Sequence, residues 1–219
     1  MLYVLGMSDG TVPDPQDVDI LMTYVTETVG TNPQGWPGGW PDEIEAAVID
    51  TVFSIRARYG DRGRGTGVIG VVDRWRSHRG GTADDLDVLA RDDPQSVRSV
   101  LRNDAKVAGR PKADVVQDVA RSFTAMGIRH AEDLRRDPVA AKQAYLSVHG
   151  CGPVTWAYLR MLCDLDDVKA DTWVVRFVRD KVPGAPPSEA SRLVKAVAST
   201  LGVDAYRLDH AIWAYRRGV

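Results

Sequence analysis

Two cysteines, Cys151 and Cys163, are all the thiols in 219 residues. They are too few for a four-thiolate iron–sulfur cluster or a disulfide framework, and the default compartment is therefore the cytoplasm. No stretch approaches the roughly 18 consecutive apolar residues of a membrane span. The opening Met1–Gly10 has no basic n-region, so it does not read as a signal peptide. Acidic clusters and His/Cys spacings suited to a divalent metal or zinc are missing as well. Net charge is only -2 and 44% of residues are hydrophobic, which excludes intrinsic disorder. The composition is that of a globular chain long enough for one large domain or two small lobes.

The most uneven absence is of basic residues. Residues 1–50 contain no Lys or Arg but nine acids: Asp9, Asp14, Asp17, Asp19, Glu27, Asp42, Glu43, Glu45 and Asp50. Taking those nine from 30 leaves 21 acids against 28 bases in the remainder, an excess of +7. Phe53–Gly80 concentrates it, with Arg56, Arg58, Arg62, Arg64, Arg74, Arg76 and Arg79 against Asp61 and Asp73. A basic face can bind phosphates on a neutral protein. Charge alone favours the plainer alternative, a solvated helical face.

Helical periodicity dominates. Ile44, Val48, Val52 and Ile55 predict a helix over Asp42–Tyr59, followed by a Gly/Arg-rich loop over Gly60–Gly67. Further helices are expected at Asp17–Val29, Val68–Arg76, Thr82–Ala90 (capped by Thr82), Asp93–Leu101, Pro111–Met126 and Pro138–Ser147. Pro153–Leu165, Thr172–Lys181, Ser188–Leu201 and Ala205–Arg216 complete the series. No strand alternation is sustained, so the fold class is all-α. The turn-rich Thr31–Pro41 carries Trp36 and Trp40, which either contact a partner or fold back over the core.

The informative run is Ala144–Val178. Two helices are joined by Val148-His149-Gly150-Cys151-Gly152, and Pro153 opens the second. Glycines two apart permit a tight turn. A helix beginning on proline directs free N–H groups and the positive dipole end at an anion, for which phosphate is the natural choice. Asp171, about 20 residues on, stands at the next helix start, where an aspartate also serves as a plain N-cap.

Together these segments resemble the helix-hairpin-helix DNA glycosylase superfamily, which includes endonuclease III and the alkylpurine glycosylases. Gly150, Gly152 and Thr155 match its hairpin. Asp171, Thr172, Val174 and Arg176 match its D-T-H-V-x-R-like segment, and Gly109-Arg110-Pro111-Lys112-Ala113 is similar to its G-x-x-x-K-A segment. The likeness runs from about Glu43 to Arg179. It implies a two-lobed helical fold, with a central lobe over 43–146 and a second lobe of 1–42 plus 147–219, the active cleft lying between them. Bifunctional members carry a lysine where this chain has Val154, so the implied enzyme is monofunctional, without lyase activity or an iron–sulfur cluster. Trp156 and Trp173 stand where a small residue and a histidine are usual.

What the resemblance implies for the site is as follows. Asp171 is the catalytic carboxylate, stabilising an oxocarbenium-like sugar and orienting water. His149, Gly150, Gly152, Thr155, Arg56, Arg58, Arg62 and Arg64 contact DNA. Trp36, Trp40, Tyr59, Trp75 and Trp173 are candidates to line the base pocket or fill the gap left by a flipped base. Carbonyls of Leu146, Val148 and Cys151 hold a monovalent cation. Arg74, Arg76 and Arg79 are solvated, and the acidic first 50 residues pack away from the duplex. The partner is duplex DNA bearing a damaged or hypermodified base, in repair or antiviral defence, and the protein acts as a monomer without a membrane. The alternatives are a non-catalytic hairpin DNA binder and a helical interaction protein.

Overall fold

The computed structural model describes residues 12–218, so Met1–Gly10 lies outside the described residues. Its helices are α1 (Pro15–Thr28), α2 (Ile44–Phe53), α3 (Gly67–His78), α4 (Leu86–Arg91), α5 (Pro94–Leu101) and α6 (Lys112–Ala125). They continue with α7 (Ala131–Arg136), α8 (Pro138–Leu146), α9 (Pro153–Leu162), α10 (Thr172–Arg179), α11 (Pro187–Leu201) and α12 (Ala205–Arg217). A two-stranded antiparallel ribbon, β1 (Lys106–Val107) and β2 (Arg110–Pro111), is the only sheet among the described residues. The fold is all-α, as the periodicity predicted.

Aspartate side chains cap five of the twelve helices among the described residues. Asp14, Asp85, Asp93, Asp137 and Asp171 each accept a backbone N–H of the helix they cap. The expected Thr82 cap gives way to Asp85, whose carboxylate accepts from Asp87 N at 3.0 Å, while neighbouring Asp84 accepts from Ile44 N and Ala131 N at 2.9 Å each. The α7 helix and the ribbon are too short to leave a periodic trace.

The chain divides into two compact units. One joins the segment ending at Trp36 to everything from Ala170 onward; the other is Pro37–Lys169. The hairpin therefore belongs to the central unit and not to the second lobe, because α9 packs on α2 and α8. In the terminal unit α1 lies on α11, and α10 on α11 and α12. Tyr24 stacks on Phe177 at 4.6 Å, and its hydroxyl donates to Asp180 at 3.1 Å.

The central unit is built around α2, whose ten residues are all buried. A helix enclosed on every side is normally apolar throughout, yet this one carries Glu45, Asp50 and Thr51. Glu45 accepts from Trp75 Nε1 at 2.7 Å, Arg79 Nε at 3.0 Å and Asp85 N at 2.9 Å. Glu43, just before the helix, holds Arg76 in a two-point pair at 2.6 and 2.7 Å. Arg74 donates to the Leu101 carbonyl. Three expectations are thereby corrected. Arg74, Arg76 and Arg79 are engaged with protein groups and are not solvated. Of the acids in the first 50 residues, Asp42, Glu43, Glu45 and Asp50 lie in the central unit, where they bond its arginines and tryptophans. Trp75 is fully buried and offers no wedge.

α2 ends at Phe53, six residues short of the expected Tyr59. Lys112, 2% exposed, donates from Nζ to the carbonyls of Phe53 at 2.9 Å and Ile55 at 2.6 Å. That satisfies the orphan carbonyl of Phe53 at the helix end and the carbonyl of Ile55 just beyond the C-cap, and the chain then turns through Arg56 at φ +50°. Lys112→Met keeps the side chain's volume but leaves both carbonyls unpaired. At about 1–3 kcal/mol per unpaired buried group, the expected loss is about 3 kcal/mol, read from denaturant unfolding. A variant as stable as wild type would show that water replaces the ammonium.

Candidate nucleic-acid interface and pocket

The hairpin starts from the end of α8. Cys151 N–H donates to the Val148 carbonyl at 3.0 Å, closing the turn. Gly150 sits at φ +101°, which L side chains rarely adopt. Gly152 is extended and caps α9. The Thr155 hydroxyl bridges back to it, accepting from Gly152 N–H at 3.1 Å and donating to its carbonyl at 2.9 Å. Thr155 thus fixes the loop that presents the α9 N-terminus. His149 is exposed at the tip, and Val148 is buried. Beneath the turn, Tyr145 is wholly buried, its hydroxyl unpartnered, with Trp156 packed against it at 5.7 Å. Trp156 is core. Burial pushes the Cys151 thiol up to about 11, and that of Cys163 up to about 12. Both are small protonated fillers and not nucleophiles.

A cation held by carbonyls of Leu146, Val148 and Cys151 would meet an all-oxygen, uncharged donor set, which suits a monovalent ion better than a divalent one. Val148 already accepts the Cys151 N–H, so the ion would be its second partner.

The arginine loop leaves α2 and returns at α3. Its neck is two glycines in contact: a Cβ on Gly60 would stand 2.0 Å from the Thr66 carbonyl oxygen, and one on Gly67 would stand 2.5 Å from Gly60 Cα. Asp61 steadies the tip by accepting Arg64 N–H at 3.0 Å. Arg56, Arg58 and Arg64 are exposed and make no ion pair among the described residues, while Arg62 pairs with Asp73 at 3.1 Å. Three exposed guanidiniums with no ion pair among the described residues thus lie on one short segment, a local concentration of positive charge.

Beside this loop lies a feature that the sequence reading missed. Asp50 is fully buried and accepts four hydrogen bonds: from Trp40 Nε1 at 3.0 Å, Ser54 Oγ at 3.0 Å, Tyr59 OH at 2.9 Å and Tyr158 OH at 3.1 Å. These fill the acceptor sites of one carboxylate. Burial nonetheless raises its pKa above the usual carboxylate range, outweighing those donors. The sequence held one signal for it: an aspartate inside the run Ala46–Phe53, which is otherwise apolar apart from Thr51. Trp40, only 9% exposed, takes the fold-back alternative left open for it, whereas Tyr59 remains 40% exposed although its hydroxyl points at Asp50. Gly38, Gly39, Trp40, Tyr59, Gly60 and Arg62 line a cavity of about 310 Å³.

Asp171 lies in the terminal unit as the N-cap of α10. Its Oδ1 accepts from Trp173 N at 2.8 Å and Val174 N at 3.2 Å. Ala170 before it has φ +34°, a conformation uncommon outside glycine, of the kind that concentrates at functional sites. Trp173 is half-buried, with the Arg176 guanidinium 5.7 Å from its ring centre. Trp36, in the same unit, is half-buried against Tyr206 at 5.6 Å and His210 at 5.5 Å.

Residues 19–217 match a family described as a domain of unknown function, DUF8548, and the chain belongs to that family. Comparison with curated proteins finds no match.

Proposed function

We propose that this protein binds DNA and acts as a monofunctional glycosylase on a modified or damaged base. The observation that carries the reading is the hairpin, whose Gly150 conformation and Thr155–Gly152 bridge present the N-terminus of α9 to an anion. Asp171 supports it as a carboxylate fixed through one oxygen and preceded by a strained residue. In the proposed reaction the bond from the base to the anomeric carbon breaks as positive charge builds on the sugar, which the Asp171 carboxylate stabilises. Water adds to that carbon and gives up a proton, and the base leaves protonated where its electron pair withdrew. No lysine occupies the lyase position, Val154, so the strand stays intact.

The test is mass spectrometry of small molecules released from a panel of damaged, mismatched and phage-derived hypermodified DNAs. A free base released by wild type and not by Asp171→Asn supports the reading. No release from any DNA, with salt-sensitive retention intact, supports the second reading, a non-catalytic hairpin binder. That alternative has its own observation, since the contacts of Asp171 are those of an ordinary cap.

Both readings share one expectation. Each phosphate contact contributes about 0.9 to the slope of log affinity against log salt. Arg56→Ala, Arg58→Ala and Arg64→Ala together should reduce that slope by about 2–3 units, measured by fluorescence anisotropy with duplex DNA. An unchanged slope removes the loop from the interface.

A further inference from the structure

We infer that Arg102, at the end of α5, contacts a backbone phosphate, and that the Arg74 guanidinium joins it to the arginine loop in one rigid basic surface. The inference rests on the DNA reading above, which assigns no residue of α5 and gives Arg74 no part in binding.

Backbone comes first. Arg102 closes α5 in the left-handed region, at φ 47° and ψ 50°, its N–H donating to the Arg98 carbonyl at 2.9 Å. Helices that end this way usually place glycine there, because a Cβ is strained in that conformation. The arginine side chain recovers nothing by packing: Arg102 is exposed and has no ion pair among the described residues, not even with Asp104 two residues on. A cation at a helix C-terminus is favoured by the dipole, but Arg98 in the last turn already supplies one. Neither the turn nor the helix therefore accounts for a guanidinium at this position.

Its surroundings do. Arg74 donates to the Leu101 carbonyl from Nε at 3.1 Å and Nη2 at 2.7 Å, and to the Gly65 carbonyl from Nη1 at 3.2 Å. One planar group thus spans from the end of α5 to the arginine loop, with Arg102 next to one carbonyl and Arg64 next to the other. Gly70, one turn before Arg74 on α3, makes room for this: a Cβ there would stand 2.1 Å from the Gly65 oxygen, so the loop lies directly on the helix backbone. Arg62 is tied to Asp73 of the same helix at 3.1 Å. No carboxylate pairs with Arg74 among the described residues, and burial together with the charge of Arg102 lowers its pKa. Two guanidiniums that repel each other with no acid between them leave a charge that an external anion relieves. The planar fork of a guanidinium suits phosphate oxygens. Arg58, Arg64 and Arg102, exposed and without ion pairs on a fixed backbone, offer more positive charge than one phosphate uses, which fits a strand with repeated phosphates.

The experiment is fluorescence anisotropy with duplex DNA across a salt series, alongside melting curves. Arg102→Gly should lower the slope of log affinity against log salt by about 0.9, the share of one phosphate contact. Its melting midpoint should hold or rise, because glycine suits the left-handed backbone. Arg102→Lys should keep the slope, and the loss in Arg102→Gly should be the same on duplexes of unrelated sequence. A slope unchanged in Arg102→Gly but reduced by Arg56→Ala, Arg58→Ala and Arg64→Ala together removes Arg102 from the interface and leaves the DNA reading standing. A lowered midpoint with an unchanged slope makes Arg102 a structural cap and overturns the inference. So does an unchanged slope with retention on phosphatidylserine vesicles lost, which gives the surface to a membrane. Absence of salt-sensitive DNA binding in the wild type overturns both readings.

Discussion

Asp50→Leu should lower the melting temperature of this protein by roughly 10 °C, whereas Asp50→Asn should cost a small fraction of that. Leucine leaves four donors without their acceptor. Ser54 and Tyr59, both partly open to solvent, can turn to water, but Trp40 Nε1 and the Tyr158 hydroxyl are buried and cannot. Two orphaned buried donors at about 1–3 kcal/mol each amount to about 4 kcal/mol, and each kcal/mol moves the midpoint of a chain this long by about 2–4 °C. Asparagine is different in kind. Its carbonyl can keep the Trp40 and Tyr59 bonds made to Oδ2, and its amide can donate to the Ser54 and Tyr158 hydroxyls that now donate to Oδ1. Equal losses in the two variants would show that packing, and not hydrogen bonding, is what Asp50 supplies.

The same pair of variants reads out protonation. Burial raises the folded pKa of Asp50 and of Glu45 above the unfolded values. The folded state then binds more protons than the unfolded one across that interval, so stability declines as pH rises from the ordinary carboxylate range through the folded pKa. Asp50→Asn removes its share of that decline. The wild-type advantage over the variant should therefore be largest at the acidic end of the interval and shrink above it. A gap that widens with pH would mean that the four donors outweigh burial at Asp50.

How much of this the sequence contained depends on which force fixed each feature. Helices governed by local periodicity and caps were legible: α6, α8 and α11 fall within a residue or two of their predicted limits. Features decided by a distant partner were not. The early end of α2 is set by Lys112, 59 residues away from Phe53. The starts of α2 and α7 are tied through Asp84, whose carboxylate accepts from Ile44 N and Ala131 N. Charge counting misled most. Glu43 and Glu45 belong to a segment without bases, yet they pair with Arg76 and Arg79 more than 30 residues on, so linear charge blocks do not map onto separate surfaces here. The hairpin was legible because glycine and proline act where they stand. Asp50 was hidden because an acid in a largely apolar helix acquires meaning only from distant partners, here Trp40, Tyr59 and Tyr158.

The second large effect concerns Asp171. If this carboxylate stabilises a cationic sugar, Asp171→Asn should reduce base release at least about a thousandfold, the scale seen when a single preorganised electrostatic partner is removed from a transition state. The substitution is informative because it spares the fold. An asparagine oxygen can still accept from Trp173 N and Val174 N, and asparagine is as good an N-cap as aspartate. Melting should change by less than about 1 kcal/mol, so lost release cannot be assigned to unfolding. DNA affinity should hold or tighten, since a negative charge is removed from a protein that binds a polyanion. Asp171→Ala supplies the contrast: it removes charge and cap together and should cost about 1 kcal/mol of stability in addition to the activity. Release of the same base by Asp171→Asn at the wild-type rate would reduce Asp171 to its capping role, and the α9 hairpin would then belong to a protein that holds DNA without cutting the glycosidic bond.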